Sequence, residues 1–337
     1  MRRMELVGRR TIRLVRDLPV PEPAPGEVLV RVGACTVCNR SDLVYYHWLG
    51  RREHCAAGRF GHEVAGTVAA VGAGVTRIGP GGRVFLRTPL TSGYADYALA
   101  REVAVGTLPD SVPFEQGAIL QLLPLAVHAT RGVRLGDRVA ILGQGPVGLM
   151  ALQVARLRGA AEVVSADLDP WRLERSRLFG ADRILLVEPP AAESAGALAG
   201  LGDDFDVAID AVGTPVTVQA CVDRVRQNGL VVLLGTHHID TRVTFDLVQW
   251  ERKGLRVHTS AEPTDAARAT AMTIAEQLAA RRPETLHLPQ LLTHVFSLAE
   301  LQQALDHLSA SPVLSPEGEP GPHLLPPPQT LKVAIRP

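Results

Sequence analysis

The chain reads as an α/β protein with two cores, one built from short β-strands and the other a doubly wound parallel sheet, and three observations predict this. Its 337 residues exceed what a single core usually serves, since domains run to roughly 100–200 residues. Residues 11–100 alternate Val- and Thr-rich runs with Pro and Gly, the pattern of short strands joined by turns. After Pro113 the apolar spacing becomes helical, and strand and helix patterns then alternate, which predicts parallel pairing.

Taken in order, "TIRLV", "GEVLVRVGAC", "EVAGTVAAVGAGV", "GGRVFL" and "GYADYALA" are the expected strands of the first half, and "FEQGAILQLLPLAVHATRGV" is helical. "DRVAILG" leads into a helix ending near Arg158, "EVVSADL" into "PWRLERSRLFG", and "FDVAIDAVG" into a helix over "PVTVQACVDRVRQNG". "LVVLLGTH" and "LRVHTSA" complete the sheet, with the latter at its edge. Two more helices, "AARATAMTIAEQLAARR" and "LAELQQALDHLS", flank "LLTHVFSL", and "LKVAIRP" is a closing strand. Seven prolines in 311–328 make that segment a surface excursion, because proline lacks the donor that a helix or an inner strand needs.

Composition narrows the function. Lys plus Arg and Asp plus Glu number 35 each, so the chain carries no electrostatic footprint for nucleic acid or anionic lipid. A small-molecule partner is expected. No apolar run approaches a membrane span, and the start lacks a signal-peptide core, so a cytoplasmic location is expected. Cys35, Cys38, Cys55 and Cys221 form no disulfide framework. The only lysines, Lys253 and Lys332, leave no GK[ST] phosphate loop, and neither falls in an obvious catalytic setting.

"ILGQGPVG" places Gly143, Gly145 and Gly148 as GxGxxG between an apolar strand and a helix that opens with Pro146 and Val147. Asp167 ends the next strand, 24 residues after Gly143. Glycines let the backbone approach a pyrophosphate at the helix N-terminus, and the acid can bond the ribose diol. This predicts an NAD site, since Asp167 repels a 2′-phosphate, although Arg172 and Arg175 lie where either could swing toward one. Gly213 and Gly235, at the ends of two later strands, join the cofactor-binding set.

His62 and Glu63 in "FGHEVAG" and Cys38 in "ACTVCNRSDL" offer an imidazole, a carboxylate and a thiolate, and a catalytic zinc takes three such ligands with a fourth position open. With these residues the chain resembles the medium-chain dehydrogenase/reductase superfamily, in particular its zinc-dependent alcohol and polyol dehydrogenases. The resemblance covers nearly the whole chain, through "PAPGEVLVRVGACTVC", "GHEVAGTVAAVGAGV", "GDRVAILGQGPVG", Asp167, "LVVLLG" and "LKVAIRP". It implies a GroES-like β-barrel catalytic domain over 1–125 and 264–337, interrupted by a Rossmann NAD-binding domain over 126–263. It also implies a catalytic zinc on Cys38, His62 and Glu63, a proton relay through Ser41, a pocket wall at Tyr45 and an edge-to-edge homodimer. The reaction implied is hydride transfer between a secondary alcohol, of polyol, cyclitol or amino-alcohol type, and NAD.

Three departures qualify the resemblance. "CNRSD" carries one residue more than the common Cys-x-Ser/Thr-Asp spacing, and Asn39 also fits zinc-free quinone or enoyl reductases using NAD(P)H. Gln121 falls where polyol dehydrogenases have a glutamate near the metal. No cysteine lies between Val84 and Tyr94, so a structural zinc is not expected. A cofactor-binding scaffold without catalysis is the third possibility. Among simpler roles, Ser41 could cap a helix beginning near Asp42, Cys35 and Cys38 form a CxxC, and Cys55, His128, His237 and His238 read as wall or structural residues.

Overall fold

The structure, a computed structural model, describes residues 1–48, 60–187, 200–235, 246–309, 327 and 329–337. Cys55, His237, His238 and nearly all of the proline-rich 311–328 segment lie outside the described residues. The chain forms two compact units, one chiefly Met1–Pro124 and Pro263–Pro337, the other chiefly Leu125–His237 and Thr241–Glu262.

In chain order the first unit opens with β1 (Arg3–Gly8), β2 (Thr11–Val15), β3 (Glu27–Thr36), α1 (Ser41–Tyr46), β4 (Glu63–Val71), β5 (Arg83–Arg87), β6 (Tyr97–Arg101), β7 (Val105–Thr107) and α2 (Phe114–Ile119). Helix α3 (Leu122–Ala129) carries the chain into the second unit. There follow β8 (Arg138–Leu142), α4 (Pro146–Leu157), β9 (Glu162–Asp167), α5 (Pro170–Leu178), β10 (Arg183–Leu186), β11 (Phe205–Asp210), α6 (Pro215–Arg224), β12 (Val225–Leu233), α7 (Leu247–Lys253) and β13 (Arg256–Thr259). The return supplies α8 (Asp265–Arg281), α9 (Leu288–Leu291), β14 (Leu292–Ser297), α10 (Leu301–Leu308) and β15 (Lys332–Arg336).

The first unit is built on one sheet in the order β14-β15-β3-β4-β5-β7, with β6 also paired to β3. Strand β3 is central: it runs antiparallel to β4, β6 and β15, with Thr36 opposite Glu63 on one side and Ala334 on the other. Val28, Val30, Val32, Val64 and Val68 from β3 and β4 pack in one core with Leu301, Leu305 and Leu308 of α10. Each such fully buried side chain contributes about 1.5–3 kcal/mol. The strand pair β1–β2 adds a strand at residues 3–8 that is not among those expected.

The second unit is a six-stranded sheet in the order β10-β9-β8-β11-β12-β13, parallel throughout. The α/β class with a parallel doubly wound sheet is therefore as expected, and "LRVHT" is an edge strand. Two details differ. The short strand β10 occupies the opposite edge, and α7 precedes β13. The helix expected to run to Gly229 stops at Arg224, where Lys253 Nζ takes the carbonyls of Val222, Asp223 and Val225 at 2.8, 2.7 and 2.8 Å. These are acceptors that a helix C-terminus leaves unpaired, and satisfying them frees Val225 to enter β12.

Candidate active site

The candidate site of the first unit lies at the ends of three adjacent strands. Cys38 follows β3 by two residues, His62 immediately precedes β4, Glu63 begins β4, and Lys332 begins β15. One donor atom from each of Cys38, His62 and Glu63 lies within 4.8 Å of the other two. Neighbouring strands stand roughly 4.7–4.9 Å apart, so adjacent strand ends bring residues distant in sequence to ligand spacing.

Asp42, fully buried, organises this corner. Its Oδ2 accepts the Cys38 N–H at 2.9 Å and the Tyr94 hydroxyl at 2.7 Å, and its Oδ1 accepts the Gly61 N–H at 2.9 Å. That oxygen also stands 4.0 Å from His62 Nδ1. Gly61 has φ +74°, and a Cβ there would meet the Tyr94 ring at 2.6 Å, so this turn accepts only glycine. Burial raises the Asp42 carboxyl against the opposing pull of His62 and these donors.

Burial alone would push the Cys38 thiol up, but the hydrogen bond and charge of His62 outweigh it and bring the thiol below its ordinary value. Burial likewise opposes a charged His62, yet the bond to Cys38 and the charges of Cys38, Asp42 and Glu63 raise it to about 9. A low thiol against a raised imidazole is a donor set that a divalent ion completes by displacing a proton. Thiolate, imidazole and carboxylate are also zinc's preferred ligand types. The residues fit a zinc ion.

Glu63 is the less expected member. Both its oxygens lie 2.6 Å from Lys332 Nζ, and Oε2 also accepts the Thr36 hydroxyl. Lys332 is 2% exposed and Glu63 0%, so losing either partner would strand the other charge at about 3–5 kcal/mol. No local pattern places Lys332 here. Its β-strand context was legible, but the alignment of β15 beside β3 is a tertiary fact. The same strand grips the Cys38 loop, because Val37 N–H donates to Val333 O at 2.8 Å and Asn39 Nδ2 to Leu331 O at 2.6 Å.

Other expected residues are placed as follows. Ser41 is the first residue of α1; Arg40 is its N-cap and bears no side-chain capping bond, so the capping role is not taken. The Ser41 hydroxyl is buried without a hydrogen-bond partner among the described residues, as is Gln121 Oε1 between α2 and α3. Tyr45 is buried in the core cluster of this unit. Cys35 is fully buried, and burial raises its thiol, which removes the reactivity that a CxxC redox pair needs.

In the second unit the glycine turn joins β8 to α4. Gly143 has φ +92°, and a Cβ on Gly148 would lie 1.9 Å from Gly143 O, whereas one on Gly145 would meet nothing within 4 Å. Gly148 thus serves close packing, and Gly145 leaves open space. Pro146 is the first residue of α4, followed by Val147. Asp167 Oδ2 accepts the Gln144 N–H at 2.5 Å and Oδ1 the Asp169 N–H at 2.9 Å, so the acid and the glycine turn are held together. Gly213 N–H donates to Asp210, and a Cβ on Gly235 would strike the Val212 backbone at 2.5 Å. Arg172 is buried with its Nε 3.4 Å from Asp169 Oδ2, and Arg175 lies 4.1 Å over the Trp171 ring. The open face at Gly145, at the carboxyl end of the strands, fits a dinucleotide.

Comparison with known proteins agrees with both halves. Residues 24–121 match the model of the alcohol dehydrogenase GroES-like domain, and 146–277 match that of the zinc-binding dehydrogenases. The sorbitol dehydrogenase of Gallus gallus is 34% identical over 260 residues, covering 66% of this chain and 71% of that protein. Two solved structures share the fold: a zinc-binding dehydrogenase of Sinorhizobium meliloti bound to NADP, with a TM-score of 0.78 at 22% identity over 100% of this chain and 99% of the other, and galactitol-1-phosphate dehydrogenase of Escherichia coli, with 0.77 at 22% over 100% of both. The chain belongs to the zinc-dependent alcohol and polyol dehydrogenases of the medium-chain dehydrogenase/reductase superfamily and is an alcohol dehydrogenase-type oxidoreductase.

Proposed function

We propose that this protein oxidises a secondary alcohol of polyol type with NAD, reversibly, using one catalytic zinc held by Cys38, His62 and Glu63. The convergence of those three donors within 4.8 Å carries the reading, and the sorbitol dehydrogenase similarity favours a polyhydroxy substrate. When bound, the ion supplies Lewis acidity to the substrate oxygen, and the dinucleotide supplies the hydride acceptor.

The chain's own residues do the rest. Asp42 fixes the backbone at Cys38 and Gly61 and so sets the aim of both neighbouring ligands. Ser41 Oγ, buried and without a protein partner among the described residues, is the group assigned to receive the alcohol proton. Gln121 presents a neutral Oε1 in place of a charge, and Tyr45, packed in the core of the first unit, backs this corner from behind. In the second unit Gly143, Gly145, Pro146 and Val147 would receive the pyrophosphate, Gly148 lets α4 pack close to that turn, and Gly213 and Gly235 keep the neighbouring strand ends low. Asp167 binds the ribose; its negative charge, with Arg172 engaged by Asp169, favours NAD over NADP.

The first unit is accordingly the catalytic domain and the second the NAD-binding domain. No structural zinc is assigned, since 88–96 contains no cysteine. A cytoplasmic site suits the free thiols of Cys35, Cys38 and Cys221; no described helix is long and apolar enough to cross a membrane. The test is metal analysis of purified protein alongside NAD reduction by a panel of polyols. Cys38→Ser should lose stoichiometric zinc and reduce kcat by at least about a hundredfold, the upper range for disturbing a metal site; a zinc-replete, fully active variant would refute the ligand set.

A further inference from the structure

The ammonium of Lys332 has three donors and three acceptors: Glu63 Oε1 and Oε2 at 2.6 Å each and Val37 O at 3.1 Å. It is saturated, buried and fixed by strand pairing. Glu63 in turn gives both oxygens to Lys332 and one of them also to Thr36, so of about four acceptor sites on a carboxylate one remains for a metal. A cation beside a carboxylate ligand competes with the ion for that ligand. It also leaves the set of thiolate, carboxylate and ammonium with one net negative charge in place of two.

We propose that Lys332 is a positioning residue that keeps Glu63 a weak ligand, so that the catalytic ion is bound less tightly and retains more Lewis acidity than Cys38, His62 and a free Glu63 would allow. This rests on the metal-site reading above. It makes Lys332 an antagonist of metal affinity, opposite to what a scaffold lysine would be. If Lys332 only held the fold, removing it would loosen the ion; if it restrains Glu63, removing it releases a carboxylate whose best remaining partner is the ion.

The test measures loss of Co2+, substituted for zinc, to excess EDTA in the full-length protein, together with the cobalt d–d spectrum. Lys332→Met should lose metal about 10–100-fold more slowly than wild type, the span by which outer partners alter metal affinity, with an altered d–d spectrum, while Lys332→Arg stays near wild type. Because Lys332→Met strands the Glu63 charge when no ion is bound, the same comparison is made without that carboxylate. Added to Glu63→Gln, which leaves no carboxylate to release, Lys332→Met should slow cobalt loss far less than it does with Glu63 present and should leave the d–d bands of Glu63→Gln unchanged. Faster or unchanged loss in Lys332→Met, or a slowing by Lys332→Met that is as large in the Glu63→Gln background as with Glu63 present, overturns the role of Lys332. Wild type that takes up neither zinc nor cobalt stoichiometrically overturns the metal site itself.

Discussion

Asp42 carries more of the site than any expected ligand, although it binds nothing itself. A buried carboxylate is costly unless its acceptors are filled, and Asp42 fills them with the Cys38 and Gly61 amides and the Tyr94 hydroxyl. The loop between β5 and β6 is short, and Tyr94 within it is fully buried. Burial pushes the Tyr94 hydroxyl well up, reinforced by Asp42, so it remains a donor across the working pH range. Tyr94→Phe should therefore destabilise the metal-free protein by about 1.5–3 kcal/mol, the worth of a hydrogen bond to a charged group, in denaturant titrations followed in the first unit. An unchanged midpoint would show that two amides suffice for Asp42.

At the scale of elements, the β8–α4 turn separates two uses of glycine that a motif cannot. Gly148→Ala would force a methyl to 1.9 Å from Gly143 O, so it should unfold or reshape the turn and lower the melting temperature of the second unit even without cofactor. Gly145→Ala meets open space with φ −68°. It should leave melting within a degree or two while weakening NAD binding at least about tenfold, by occupying the room a pyrophosphate needs. Equal melting losses in both variants would contradict this division. The two lysines also act at element ends: Lys253 closes α6 and Lys332 joins β15 to the β3 and β4 ends. An ammonium offers three donors, and each is matched to a cluster of oxygens.

For the molecule as a whole, β13 is the last strand of its sheet, with Val257 exposed, and Leu247 and Val248 of the adjoining α7 are 76% and 55% exposed. An open edge is a template for pairing, and the edge-to-edge homodimer that the family resemblance implies would cover it with the same strand of a second copy about a twofold axis. Val257→Lys, which puts a charge on the exposed edge strand, should convert the dimer to monomer in light scattering while leaving zinc content unchanged. A monomeric wild type would end the dimer proposal.

The sequence by itself determined the periodicities and the local chemistry. Alternation of strand and helix patterns specified the parallel sheet, GxGxxG and Asp167 the nucleotide turn, and the Cys38 and His62–Glu63 pair the donor types, because each depends on residues near one another in the chain. It did not determine α7 or the early end of α6, since the latter needs Lys253 from 28 residues further along. Nor did it determine the partners of Glu63, because Lys332 arrives across 269 residues of chain. Only the pairing of β15, β3 and β4 decided that contact: strand order is set by packing of whole apolar faces, and no local pattern records which strand end will stand beside which.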